Sequence, residues 1–352
     1  MLKNLAYLIV ASAALFAGPL SAQVKLGETK YFKNWAAGCD NGLSCEAVAM
    51  LPPELPEGML SLVLARDAGK DAALKINIFG FDSESDRYQL FVDGVLTDTG
   101  PITQDIAPIK IVGSDALKLA RAMVKGSEAR LVDGGGKLLG KISLAGSSAA
   151  LRYVDVKQRR ARTASAIVAR GKRKFRGSAL ALPVINVPRI VATDDIPSTS
   201  ALVALAEGGS CAQERIGVTQ DLVYGLGTVD GKPRALALIN CGIGVYNVFN
   251  AAYIGTKDAQ GKWKFEAAMF DHDSSFPNAK GDLKLIVNAD WDAAKQTLAT
   301  FSKSRGVGDC GRSADYVWDG KMFRLIHARS MDECQGSVDW ITVWRADVAF
   351  AG

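Results

Sequence analysis

The sequence predicts a mainly β fold of the α+β class. It is divided into two domains, which disulfide bonds cross-link internally. Short apolar or alternating runs of strand length recur along the chain, for example at 74–79 and 263–267. Asp-Gly pairs such as Asp93-Gly94 and Asp319-Gly320 separate strand-like runs, a pattern typical of β-hairpins. The length of 352 residues suggests two domains. The six cysteines indicate that disulfide bonds stabilise them.

The chain begins with a predicted signal peptide at residues 1–22. Lys3 precedes an apolar run at 5–16, and the small residues Ser21 and Ala22 form a cleavage site before Gln23. The apolar run is shorter than the roughly 20 residues that a transmembrane helix needs. We therefore expect a periplasmic protein with no transmembrane segment in the mature chain.

The N-terminal domain is predicted at 23–176, as a sheet or sandwich with two helices. One helix follows Ser114, with Leu117, Ala120 and Val124 facing the core at helical spacing. The other begins at Ser147. The predicted strands lie at 60–64, 74–79, 88–92, 95–96, 129–132 and 138–144.

A linker is predicted at 177–195, where prolines interrupt any helical period. The C-terminal domain, at 196–352, starts with a short apolar helix at 200–206 and continues as an antiparallel β-meander. Its predicted strands lie at 222–226, 234–239, 245–254, 263–267, 283–288, 297–302, 316–318, 322–325 and 340–344.

The cysteines indicate disulfides formed in an oxidising compartment. Sequence neighbours are the simplest of the many pairings that six cysteines allow, because each neighbouring pair brackets a local turn or strand pair. The expected bonds are Cys39–Cys45, Cys211–Cys241 and Cys310–Cys334. A redox role for one of these pairs is an alternative to a purely structural one.

A run of basic residues at 157–176 contains no acidic residue and is a candidate contact for anionic lipid, lipopolysaccharide or an acidic protein partner. The alternative is a solvated helix face with an exposed exit loop. The cations are Lys157, Arg159, Arg160, Arg162, Arg170, Lys172, Arg173, Lys174 and Arg176.

Catalytic and metal-binding motifs are not found in the sequence, which favours a non-catalytic protein without cofactor or metal. The glycines Gly306, Gly308 and Gly311 match a dinucleotide-binding spacing, but a cysteine and a hairpin follow instead of a helix. The loop at 271–275 gathers metal-type ligands for a calcium or zinc site, but a polar turn between strands is the favoured interpretation, because adjacent loop residues do not all point one way. The net charge of +5 is too small for a dedicated nucleic-acid binder.

Five of the six tryptophans lie near the C-terminus, which suggests a second hypothesis for the function. Exposed aromatics could stack on cell-wall sugars, as expected of a glycan-acting hydrolase or inhibitor. Packing in the core is the usual fate of such side chains. The residues are Trp263, Trp291, Trp318, Trp340 and Trp344.

Two stretches carry a family resemblance. The spacing of Phe32, Trp35, Cys39 and Cys45 is similar to the start of the invasion-associated locus B proteins. The C-terminal end, with Arg305-Gly306-x-Gly308-Asp309-Cys310-Gly311 and the motifs at 317–325, 331–336 and 340–346, resembles the uncharacterised periplasmic family catalogued as domain of unknown function 1176. This resemblance implies export, a periplasmic location and disulfides, and it implies no activity. We therefore expect a non-catalytic binding or envelope-maintenance module.

Overall fold

A computed structural model of the chain describes residues 24–51, 58–102, 108–191, 193–208, 220–272, 274–277 and 284–351. Within these ranges strand accounts for 46% of residues and helix for 11%, so the predicted mainly β class is confirmed. The predicted signal peptide and Cys211 lie outside the described residues. No helix in the described ranges is long and apolar enough to cross a membrane.

The elements of the N-terminal half form two antiparallel sheets and two helices. In chain order they are β1 (Lys30–Tyr31), β2 (Trp35–Cys39), β3 (Cys45–Ala49), β4 (Ser61–Arg66), β5 (Leu74–Phe79), β6 (Arg87–Val92), β7 (Val95–Pro101), β8 (Ile109–Val112), α1 (Gly113–Met123), β9 (Glu128–Asp133), β10 (Leu138–Ser143) and α2 (Ser147–Lys157). One sheet has the order β1-β2-β3-β4-β5-β8 and the other β10-β9-β6-β7.

The rest of the chain begins with β11 and α3 and continues almost entirely as strands. In chain order the elements are β11 (Val184–Val187), α3 (Thr199–Gly208), β12 (Leu222–Val229), β13 (Lys232–Ile243), β14 (Val248–Lys257), β15 (Trp263–Ala267), β16 (Phe276–Pro277), β17 (Lys284–Val287), β18 (Asp290–Asp292), β19 (Thr297–Lys303), β20 (Gly311–Trp318), β21 (Phe323–Met331), β22 (Ile341–Arg345) and β23 (Asp347–Phe350).

Two antiparallel sheets build the C-terminal part. The first has the order β12-β13-β14-β17-β16, with β15 also paired to β14. The second runs β18-β19-β20-β21-β22, so consecutive strands are neighbours and the predicted meander is confirmed. Within the predicted linker, β11 pairs in parallel with β23 near the C-terminus.

Local sequence explains several elements directly. In β5 the residues Leu74, Ile76 and Ile78 are buried and alternate with more exposed neighbours, as the period of two predicts. The turn at Asp93-Gly94 has φ of 46° and 81° at its two residues. Two successive positive φ angles define the type I′ turn, whose twist suits a two-residue hairpin.

The core-facing stripe of α1 is shifted from the predicted one. Ala120 is buried as expected, whereas Leu117 and Val124 are only partly buried. The fully buried positions are Ala116, Leu119, Ala120 and Met123. The helix begins at Gly113. Its buried face is shifted by one residue relative to the predicted face and packs against β5 and β8.

In the N-terminal sheet of order β1-β2-β3-β4-β5-β8, the strands β2 and β3 are buried on both faces. One face, which includes Trp35 and Leu62, shares a core with α1, α2 and the four-stranded sheet. The opposite face, which includes Ala36 and Val48, packs against the C-terminal sheets. A Cβ on Gly38 would lie 2.7 Å from Cγ2 of Ile341, which shows how closely β2 approaches β22.

Two of the expected disulfides are confirmed in the described residues, namely Cys39–Cys45 and Cys310–Cys334. Cys241 is also disulfide-bonded. The short Cys39–Cys45 loop is tied to the last strand of the meander, because Arg345 forms an ion pair with the buried Asp40 and exchanges hydrogen bonds with Asn41.

Candidate functional site

The candidate site is the basic segment, which we define as residues 157–176. It starts at the end of α2 and continues as an irregular loop across the N-terminal half. Eight of its nine cations are exposed: Lys157, Arg159, Arg162, Arg170, Lys172, Arg173, Lys174 and Arg176. These eight side chains are the ones available to a partner.

The ninth cation, Arg160, does not lie on the surface and is a correction to the predicted contact set. Its side chain is fully buried, and its guanidinium stacks over the ring of Phe175 at 4.1 Å. The same group donates hydrogen bonds to Gln158 Oε1, Ser165 Oγ and the Gly69 carbonyl. Arg160 therefore holds the basic segment from inside.

A buried carboxylate on α2 anchors the middle of the segment. Asp155 accepts backbone N–H bonds from Ile167 at 2.9 Å, Val168 at 2.8 Å and Ala169 at 3.3 Å. Three successive amides turned toward one carboxylate form a concave anion site, here filled by the chain's own side chain. The backbone at 167–169 is thereby fixed to α2.

Two arginines from neighbouring elements hold the carbonyl groups of the same segment. Arg66 of β4 donates to the Ser165 carbonyl at 2.9 Å, and Arg121 of α1 donates to the carbonyls of Ala164 and Ala166 at 2.7 and 2.9 Å. The loop is therefore bonded through both its amides and its carbonyls, which limits its motion.

The buried side of the segment is rich in positive charge. Burial, reinforced by the nearby Arg160 guanidinium, lowers the pKa of Arg66 to about 10. Burial also lowers the pKa of Arg160 and, with repulsion from Arg170, that of Arg121. Asp155 is the carboxylate whose charge favours the protonated form of all three arginines.

The backbone of the segment folds back on itself and brings its two cationic stretches together. Arg162 N–H bonds to the Ala169 carbonyl at 2.6 Å, and Ala164 N–H bonds to the Arg173 carbonyl at 2.9 Å. Arg159 and Arg162 have φ of 58° and 65°. Bulky residues seldom adopt this left-handed conformation. The backbone at these two exposed arginines is therefore strained, and glycine would adopt the same conformation with less strain.

The tryptophans do not form an exposed platform in the part of the chain that the structure describes. Trp291, Trp318 and Trp340 are buried, and Trp263 and Trp344 are partly buried. Trp318 packs against Phe323 with ring centres 5.3 Å apart. The glycan-stacking alternative thus loses the surface on which it depended, because Trp291, Trp318 and Trp340 pack in the core between the sheets.

The predicted metal-type loop at 271–275 and the glycine-rich loop at 306–311 also have structural roles. Asp271 accepts hydrogen bonds from Arg324 Nε and the Leu325 N–H, both at 2.8 Å, while Asp273 lies outside the described residues. Gly308 and Gly311 have φ of 72° and 145°, as expected for a tight loop beside a disulfide. A Cβ on Gly311 would lie 2.0 Å from the Ser302 carbonyl oxygen.

The residues that anchor the basic segment were not predicted from the sequence. Arg66, Arg121 and Asp155 lie on three different elements, and nothing in their local spacing marks them as neighbours of residues 164–169. A buried Asp at a core-facing position of α2, next to Val154, was the one local signal, since charged residues seldom occupy such positions without a partner.

Together these features define a mainly β, disulfide-bonded protein that presents an anchored cationic segment. The chain belongs to the family described as "Protein of unknown function (DUF1176)", which matches residues 29–347, and the sequence resemblance is confirmed. It is similar to the uncharacterized protein YpfG of Escherichia coli (strain K12), with 25% identity over 338 residues, 89% of this chain and 91% of the relative. A weak likeness, with a TM-score of 0.29 and 17% identity, links 38% of this chain to 99% of invasion associated protein B from Bartonella henselae.

Proposed function

We propose that the protein is an exported, non-catalytic binding module of the periplasm, and that the basic segment contacts an anionic lipid of the cell envelope. The observation that carries this proposal is the exposure of eight cations on one anchored segment that has no acidic residue. The predicted signal peptide and the disulfides are the features that suit export. The family description supplies no activity.

The anchoring of the segment favours binding over simple solvation. A solvated cationic loop needs no buried carboxylate, whereas Asp155 and the buried Arg160 hold this one in a single shape. A fixed array of cations loses less conformational entropy on binding than a mobile one does.

Vesicle flotation with the mature protein tests the proposal. We expect binding to phosphatidylglycerol-containing vesicles, none to phosphatidylcholine vesicles, and a loss of binding as salt rises, because exposed charges are screened beyond about 10 Å at 0.1 M salt. Each cation near an anionic surface contributes about 1 kcal/mol. Neutralising Lys172, Arg173 and Lys174 to Gln should therefore weaken binding roughly a hundredfold.

The matched control neutralises three exposed lysines outside the segment, namely Lys232, Lys262 and Lys321. This variant has the same net charge as the test variant, so it should bind almost as well as the wild type if the segment is the contact. Equal losses in both variants, or no binding of the wild type to anionic vesicles, would overturn the proposal. In the second case an acidic protein is the next class of partner to test.

A further inference from the structure

A pocket of about 470 Å³ lies between the two C-terminal sheets, away from the basic segment. Its floor consists of Ala252 on β14, Ile286 on β17 and Tyr316 on β20, all buried. Phe270 forms one wall and is held by two rings, Tyr316 at 5.0 Å and Phe323 at 5.1 Å between ring centres. The volume is within the range of roughly 300–1,000 Å³ that is typical of small-molecule sites.

The polar groups of the pocket are few and lie together. The Tyr316 hydroxyl is 2.8 Å from Ser274 Oγ and donates to the His272 carbonyl at 3.2 Å. Ser275 also lines the pocket. A mainly apolar surface with so few polar groups suits a ligand whose buried part is apolar.

The rim of the pocket carries an exposed cation and adaptable apolar side chains. Lys284 is exposed at the mouth. Met269 is 58% exposed, and Met322 lines the same pocket. Methionine side chains adjust to apolar ligands of irregular shape, and a solvent-exposed apolar side chain gains free energy when a ligand covers it.

We propose that this pocket binds a single-chain amphiphile whose apolar chain enters between the sheets and whose anionic head stays at the mouth beside Lys284. A charged head cannot enter the apolar interior without a large desolvation cost, so it stays at the solvent-exposed mouth, where Lys284 lies. The inference goes beyond the proposed function, because none of the pocket's residues belongs to the basic segment.

Fluorescence titration of the mature protein with two dyes tests the inference. The probes are 8-anilinonaphthalene-1-sulfonate, which is anionic, and N-phenyl-1-naphthylamine, which is neutral. We expect one saturable site per chain for each dye. Ala267→Trp should weaken the binding of both dyes more than tenfold, since Ala267 is an exposed residue at the mouth whose replacement fills the pocket without disturbing the core.

Three further variants test whether the dyes occupy this pocket or another part of the surface. Ala293→Trp, at an exposed turn outside the pocket, should bind both dyes as the wild type does. Lys284→Gln should weaken the anionic dye about threefold and leave the neutral dye unchanged, as expected for one exposed charge pair. The triple Gln variant of Lys172, Arg173 and Lys174 should bind both dyes normally. Dye binding that the triple variant abolishes, or that Ala267→Trp leaves unchanged, would overturn the inference.

Discussion

Replacing Asp155 by Ala should loosen the basic segment from the N-terminal core. The carboxylate accepts three backbone amides, of which those of Ile167 and Val168, at 2.9 and 2.8 Å, have the geometry of strong charge-assisted bonds. Each such bond contributes about 1.5–3 kcal/mol, and the longer bond from Ala169 contributes less. We therefore expect the free energy of unfolding to fall by about 4 kcal/mol.

Urea denaturation at neutral pH measures this loss, and hydrogen exchange locates it. The amides of residues 167–169 should lose protection in Asp155→Ala, while those of β5 in the same half should keep it. Asp155→Asn is the matched control, because it retains one acceptor oxygen of the same shape and should lose less stability. A fall of less than about 1 kcal/mol in Asp155→Ala, with unchanged exchange at 167–169, would refute the anchoring role.

Three further predictions concern the contacts that hold the C-terminal part. Loop-closure entropy predicts a loss of about 3.5 kcal/mol when Cys310 and Cys334, separated by 24 residues, are both replaced by Ala. Arg305 holds the pKa of the buried Asp309 below its usual value, so the stability advantage of the wild type over Asp309→Asn should be full above about pH 4 and disappear as pH falls further. Arg345→Ala should cost about 2 kcal/mol, because it removes the charge-assisted hydrogen bond from Arg345 to the buried Asp40 carboxylate.

Each of these three predictions has its own control and contrary result. Removing the Cys39–Cys45 bond, with a separation of six residues, should cost only about 2 kcal/mol, and a larger loss than for the longer loop would contradict the entropic origin of the stabilisation. A pH-independent difference between wild type and Asp309→Asn would contradict the assigned charge. For Arg345→Ala, adding Asp40→Asn should recover part of the loss, and purely additive losses would contradict the pairing. Thermal and urea denaturation supply these measurements.

Local features of the fold were predictable because local physics determines them. The strands at 74–79 and 263–267 were expected at the bounds observed, since alternation is a property of each segment alone. The Asp230-Gly231 turn has φ of 50° and 71°, a left-handed conformation that these two residue types tolerate well. Neighbouring cysteines paired because short strands and turns bring them together.

Non-local features had no comparable signal in the sequence. The parallel pairing of β11 with β23 joins residues more than a hundred positions apart, and a predicted linker contributes one of the two strands. The double-sided burial of β2 was hidden as well, because small residues such as Ala36 and Ala37 suit many environments. The same limit explains Arg160, whose burial depends on contacts with Gly69 and Phe175, neither of which is its neighbour in the sequence.

Hydrogen exchange of the mature protein, with and without phosphatidylglycerol vesicles, tests the proposed contact surface most directly. We predict that the vesicles slow exchange within residues 157–176, and that the Gln variant of Lys172, Arg173 and Lys174 abolishes this protection. Protection that lies elsewhere in the chain, or an unchanged exchange pattern at vesicle concentrations that retain the protein by flotation, would contradict the proposed contact.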